Sequence, residues 1–247
     1  MIGPSLVRSL HHKKYRDREG LFLVQGRKLV EELLASGWPV RGMMATEEAV
    51  AGLEVAGLPL QVLPAAELKR LGTLVTGNEL VAVVERPDEA PGGAPVAGEL
   101  VLALDGVSDP GNMGTLLRIA DWFGVRRVVC GAGCVEVWNP KCVQATMGSL
   151  FRVRVEQASL PGLLQEWSTA GTMVYLADMS GTPVHQLALR RPAVLVMGSE
   201  SHGLSAEVSS VPGTRVSVPG RGGAESLNVA MAASALCMEF LRQTEAG

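Results

Sequence analysis

The chain has 247 residues, enough for one large domain or two smaller ones. Hydrophobic residues make up 47% but aromatics only 4%, so aliphatic side chains and alanine must fill the core. A formal net charge of −3 excludes a wholesale basic surface, so any nucleic-acid contact has to use a local patch.

The opening stretch, MIGPSLVRSLHHKKYRDREG, is basic and polar and has no apolar signal core. No apolar run approaches the length of about 18 residues that a membrane helix needs, so no span is expected and the cytoplasm is the default compartment. Residues 4–14 read as a helix and 21–24 as a short strand. Residues 27–36 have helical spacing and end at Gly37, a suitable C′ position. Apolar runs follow at 40–45, 60–63 and 80–84 with helical pieces between them, which together make a small α/β unit. Arg8, Lys13, Lys14, Arg16, Arg18, Arg27 and Lys28 face only Asp17 and Glu19, a local net of +5. Such a run is either a solvated face or an RNA contact, with His11, His12 and Tyr15 available for stacking. The Pro- and Gly-rich stretch from Glu85 to Gly98 reads as a linker, dividing residues 1–90 from 98–247.

Beyond it the pattern is regular. Strands are expected at 100–104, 127–130, 152–155, 173–177, 193–197 and 215–218. Helices are expected near 112–123, 140–149, 161–169 and 205–210, with a long last one over 226–243. Apolar strands alternating with helices imply a mainly parallel sheet covered on both faces.

Ligands of such sheets bind beyond the carboxyl ends of the strands, where three loops stand out. The first, Asp109-Pro-Gly-Asn-Met-Gly-Thr-Leu-Leu-Arg118, places Asn112 at a helix start and Arg118 six residues on, where both could reach one polar pocket. The second, Gly198-Ser-Glu-Ser-His-Gly-Leu204, carries Glu200 between glycines that permit close backbone approach, and His202 reads as a loop surface residue. The third runs from Val218 through Gly220 to Ser226-Leu-Asn-Val229, with Ser226 suited to cap the last helix and Asn228 in its first turn. No GxxxxGK[ST] occurs, no GxGxxG follows the first strand of the large domain, and no GxSxG elbow is present. The spacing Cys130-x3-Cys134-x7-Cys142 lacks a nearby His, so these residues read as reduced thiols rather than metal ligands.

In this order and spacing, the three loops resemble the motifs of the SpoU (TrmH-type) RNA 2′-O-ribose methyltransferases of the SPOUT superfamily. Residues 12–28 are similar to the start of the RNA-binding domain, related to a small ribosomal-protein fold, that many of these enzymes carry. The resemblance implies an α/β fold with a deep trefoil knot and S-adenosyl-L-methionine as cofactor. It implies that Gly198, Val218 and Leu227, with Gly220 and Ser226, hold that cofactor through backbone groups. It also implies a catalytic neighbourhood of Arg118, Asn112, Glu200, Ser226 and Asn228 without a metal. A homodimer with sites completed across the interface is expected, and the small-residue helix over 229–241 is the candidate surface.

Two positions depart from the family pattern: Ser201 stands where Gly is usual, and Gly220 where an apolar residue commonly follows the proline. The implied function is 2′-O-methylation of structured RNA, with ribosomal RNA favoured over tRNA by the appended domain. A non-catalytic RNA-binding protein of the same fold is the reading from a different class.

Overall fold

The computed structural model describes residues 2–55, 57–72, 77–87 and 90–245. Pro4 opens α1 (Pro4–Ser9), and extended backbone at His12 separates it from α2 (Lys13–Glu19), so two helices stand where one was expected over 4–14. Then come β1 (Leu21–Gln25), α3 (Arg27–Ser36) and β2 (Val40–Ala45). The helix α3 stops at Gly37, whose φ of 73° is left-handed, as its position predicts. α4 (Glu47–Val50) is capped by the Thr46 hydroxyl, and β3 (Leu60–Val62), α5 (Ala65–Leu71) and β4 (Leu80–Glu85) complete the segment.

The second segment contains β5 (Leu100–Leu104), α6 (Pro110–Trp122), β6 (Arg127–Cys130), α7 (Pro140–Thr146) and β7 (Arg154–Gln157). It continues through α8 (Leu160–Thr169), β8 (Met173–Pro183), β9 (Ala193–Met197), α9 (Ala206–Ser209), β10 (Thr214–Ser217) and α10 (Val229–Glu245). The expected element types hold, and the boundaries move. α7 ends early because Met147 takes a left-handed φ of 50° before a short 3-10 turn. α10 begins at Val229 rather than Ser226.

Contacts group the chain into two units, Met1–Asp88 with Glu136–Arg152, and Glu89–Val135 with Val153–Gly247. The first unit holds a four-stranded sheet of order β1-β4-β2-β3, with β4 antiparallel to both neighbours and β2 parallel to β3. Side chains alternate along β1: Leu21 and Leu23 join the cluster of Val7, Leu10, Leu68 and Leu71, while Phe22 turns the other way. There it meets Trp138 at 4.8 Å, and Trp38 lies 6.3 Å from Trp138 and 5.4 Å from Phe151. Aromatic pairs of this kind contribute about 0.5–1.5 kcal/mol each beyond area burial. Trp138 and Phe151 are the reason that residues 136–152, read from sequence as part of the 98–247 domain, pack within the first unit. Arg16 pairs with Glu136, and Gln144 Nε2 donates to the Gln25 carbonyl at 2.5 Å.

The second unit is a six-stranded sheet of order β10-β8-β9-β5-β6-β7, parallel throughout. Its central strands β5 and β9 are buried at every residue, which is why they read as unbroken apolar runs. Val174 and Leu176 of β8 face Leu164 and Trp167 of α8. Tyr175, between them, faces Phe240 of α10 at 5.2 Å, so helices cover both faces. Glu85 of the expected linker is the last residue of β4; its other described residues form no helix or strand, but Arg127 and Arg154 bond the carbonyls of Gly93 and Ala90 at 3.0 and 3.1 Å. Asp88 and Glu89 of that linker lie outside the described residues. Among the described residues no helix is long and apolar enough to cross a membrane.

Candidate active site

Two caps differ from the sequence reading, and the difference builds the site. Asp109, rather than Asn112, caps α6, its carboxylate accepting the Asn112 backbone N–H at 2.8 Å. The Asp-Pro pair at a helix start was the signal for this. Asn228, rather than Ser226, receives the α10 N–H groups of Ala230 and Met231, at 2.9 and 3.4 Å. Its side-chain oxygen is thereby committed to the helix, so its NH2 must point away, and it donates to Asn112 Oδ1 at 3.0 Å. The Asn112 oxygen is committed in turn, and its NH2 donates to the Glu200 carboxylate. The start of α10 thus sets both amides and aims two of the three motif loops at Glu200. No second protein donor reaches Glu200 among the described residues, so its carboxylate keeps accepting capacity.

Gly198 shapes the loop that carries Glu200. Ser199 and Gly203 exchange N–H···O bonds of 2.9 and 3.0 Å, closing a tight turn. A Cβ on Gly198 would overlap the Gly203 carbonyl carbon and the Leu204 nitrogen. G198A should therefore cost about 1–3 kcal/mol in stability and weaken ligand binding at this loop, read by thermal denaturation and calorimetry. Unchanged melting would mean that the turn opens freely. Asp105, buried at the end of β5, holds the next residues by accepting the Ser205 N–H at 2.7 Å. Sequence gave no signal for that pair, since the partners are 100 residues apart. A cleft of about 530 Å³ opens here, lined by Asp105, Gly106, Gly133, Ser199, His202 and Ser205.

Val218 is half-buried, and residues 219–228, including Gly220, Ser226 and Leu227, are exposed. Among the described residues no backbone N–H of 219–227 donates to another backbone group. Asp178 of β8 is held below the usual carboxylate range, first by the Ser180 N–H, then by the Ser180 hydroxyl and Arg215, which ties β8 to β10.

Arg118 and Ser226 do not join the Asn228–Asn112–Glu200 chain. Arg118 is exposed and lies roughly 120° round α6 from Asn112, and no hydrogen bond joins the two among the described residues. Of the seven basic residues proposed for RNA, Arg16 is withdrawn. It is 2% exposed, paired to Glu136, and bonded to the Leu10 carbonyl at 2.7 Å. Lys13, Arg18 and Arg27 are exposed but pair with Asp17, Glu19 and Glu31. Arg8, Lys14 and Lys28 are exposed and make no ion pair among the described residues. Tyr15, considered for stacking, has the Arg18 guanidinium 4.9 Å from its ring centroid.

The profile of the SpoU rRNA Methylase family matches residues 99–238, and that of the MRM3-like substrate binding domain matches residues 6–82. The chain is 32% identical over 231 residues to the 23S rRNA (guanosine(2553)-2'-O)-methyltransferase RlmP of Bacillus subtilis, covering 93% of this chain and 92% of that protein. The SpoU methyltransferase AviRb from Streptomyces viridochromogenes, solved in complex with AdoMet, superposes with a TM-score of 0.89 at 29% identity, over 99% and 98% of the two chains. An AdoMet-bound rRNA methyltransferase from Sinorhizobium meliloti gives 0.85 at 27% identity, over 97% and 94%.

Proposed function

The chain belongs to the SpoU rRNA Methylase family, and from that premise we propose that it transfers the methyl group of S-adenosyl-L-methionine to a ribose 2′-hydroxyl of ribosomal RNA. The observation that carries this reading is the hydrogen-bonded chain from Asn228 through Asn112 to Glu200, which joins the three motif loops at one place. The exposed loop 219–227 fits the cofactor: its free backbone N–H groups suit the polar edge of a nucleoside, and Leu227, 52% exposed, supplies an apolar surface. Gly198, Val218, Gly220, Ser226 and Leu227 would hold it, the chain there following the trefoil path of the family. When bound, the cofactor supplies the activated methyl group, and the protein's part is to position and desolvate the reactants.

Glu200 accepts a hydrogen bond from the incoming sugar, with Asn112 fixing its orientation. Arg118 orients the ribose or its phosphate by a forked contact and stabilises developing negative charge, while the 2′-OH proton leaves to water or phosphate. R118K should lower kcat by about tenfold or more with an unchanged pH profile. Near-normal activity with a shifted profile would instead make Arg118 the base.

A second copy of the chain brings Arg118 to the network. α10 buries Val229, Ala233, Leu236, Cys237 and Phe240 on one face, yet on the opposite face Met231 and Met238 are 64% and 53% exposed. Trp122, one helical turn from Arg118, is 83% exposed. An apolar patch of this kind supports a homodimer interface. W122E/M238E should yield monomers in light scattering and lose activity. Mixing the R118A and E200A variants should restore activity if the arginine acts across subunits, and restoration would be absent if it acts within one chain.

Exposed Arg8, Lys14 and Lys28 support an RNA contact by the first unit, and the cytoplasm is the compartment in which that RNA is met. The deciding experiment incubates the protein with labelled cofactor and either ribosomal RNA or tRNA, then maps 2′-O-methyl positions. Label in ribosomal RNA is expected. Label only in tRNA overturns the substrate, and cofactor binding without transfer to either RNA overturns the enzyme.

A further inference from the structure

The methyl-transfer reading leaves unused a pair of thiols that flank Ala132 and Gly133, two residues lining the cleft. β6 ends at Cys130, which stands in register with Leu104 of β5. The chain then doubles back, the Cys134 N–H reaching the Gly131 carbonyl at 3.4 Å. The returning Cys134 thiol donates to the Leu104 carbonyl at 3.2 Å, which sets it beside Cys130, the strand partner of Leu104. Both are free thiols, Cys130 buried and Cys134 half-buried. We propose that Cys130 and Cys134 form a reversible thiol–disulfide pair, oxidised by a hydroperoxide, at the base of the turn that borders this cleft.

Three features assign the roles. Backbone N–H groups of Val107, Gly106 and Gly131 are directed at the Cys134 sulfur, a cradle for negative charge. The Cys130 hydrogen bond and these N–H groups together hold Cys134 below the ordinary thiol range, against its partial burial. Cys237, by contrast, is pushed up to about 12 by burial, and Cys142 is also buried. Cys134 is therefore the attacking thiolate and Cys130 the resolving thiol, while Cys142 and Cys237 are internal controls.

In the first step the Cys134 thiolate attacks one peroxide oxygen. The S–O bond forms, the O–O bond breaks, and hydroxide or alkoxide leaves with the electron pair, giving a sulfenic acid. In the second step the Cys130 sulfur attacks that sulfur. The S–S bond forms, the S–O bond breaks, and the hydroxyl departs as water with the Cys130 proton. The peroxide is reduced by two electrons and the two thiols are oxidised by the same two. The product fixes the turn 130–134, whose Ala132 and Gly133 line the cleft beside Asp105 and Gly106.

The test treats the full chain with equimolar hydrogen peroxide, alkylates free thiols and digests with trypsin. Residues 128–141 form one tryptic peptide with both cysteines, separate from Cys142. That peptide should lose two hydrogens and escape alkylation, while Cys142 and Cys237 remain alkylated, and dithiothreitol should reverse the change. In C130S, dimedone should trap a sulfenic acid at Cys134, and C134S should leave Cys130 unoxidised. The proposal is overturned if both thiols stay alkylable, if Cys134 proceeds to sulfinic acid with Cys130 still alkylated, or if Cys142 and Cys237 oxidise equally fast.

Discussion

Replacing Glu200 by alanine should lower methyl transfer by about 100-fold or more, because it removes the acceptor to which both oriented amides lead. The side chain is exposed, so melting should move by no more than about 0.5 kcal/mol. N228D separates the two duties of Asn228. Aspartate still accepts the Ala230 and Met231 N–H groups and is favoured at a helix N-terminus, so stability should hold. It has no NH2 to give Asn112, so the network loosens and the rate should fall by about tenfold or more. Steady-state kinetics beside thermal denaturation reads both. A variant that melts normally and turns over normally would remove the network from the mechanism.

The second large effect is on stability. Arg16 and Glu136, 2% and 7% exposed, form an ion pair within the first unit. R16M removes the cation and leaves a buried carboxylate without its closest partner, since Lys13 approaches Glu136 only at 3.7 Å. The expected cost is about 3–5 kcal/mol. R16M/E136L removes both charges and should recover most of that loss, because a well-packed apolar replacement of a buried pair is close to neutral. Denaturant unfolding of the three proteins checks this. If R16M cost less than the double variant, the pair would be only a surface contact.

Arg16 also marks where reading the chain fell short. By composition it belongs to the run of residues 13–19, with four cations, two anions and no aliphatic break, and nothing local separates it from Lys14. Only the return of Glu136 from far along the chain buries it. The same holds for Arg118. Its place in the Asp109–Arg118 motif was legible, but whether it meets Asn112 depends on the helix turn, which points the two side chains in different directions.

Sequence by itself determined the periodic elements. Unbroken apolar runs as short as 100–104 and 193–197, bounded by Gly and Pro, suit strands buried on both faces, and Gly37 and Pro110 mark helix ends through their own backbone limits. It also determined the three loops, because glycines and short polar residues at strand ends are local features. Tertiary structure alone decided that the amides of Asn228 and Asn112 lead to Glu200, that residues 136–152 join the first unit, and that Cys130 meets Cys134. Each of these depends on groups brought together by packing and hydrogen bonding across turns or between distant segments, which no local pattern encodes.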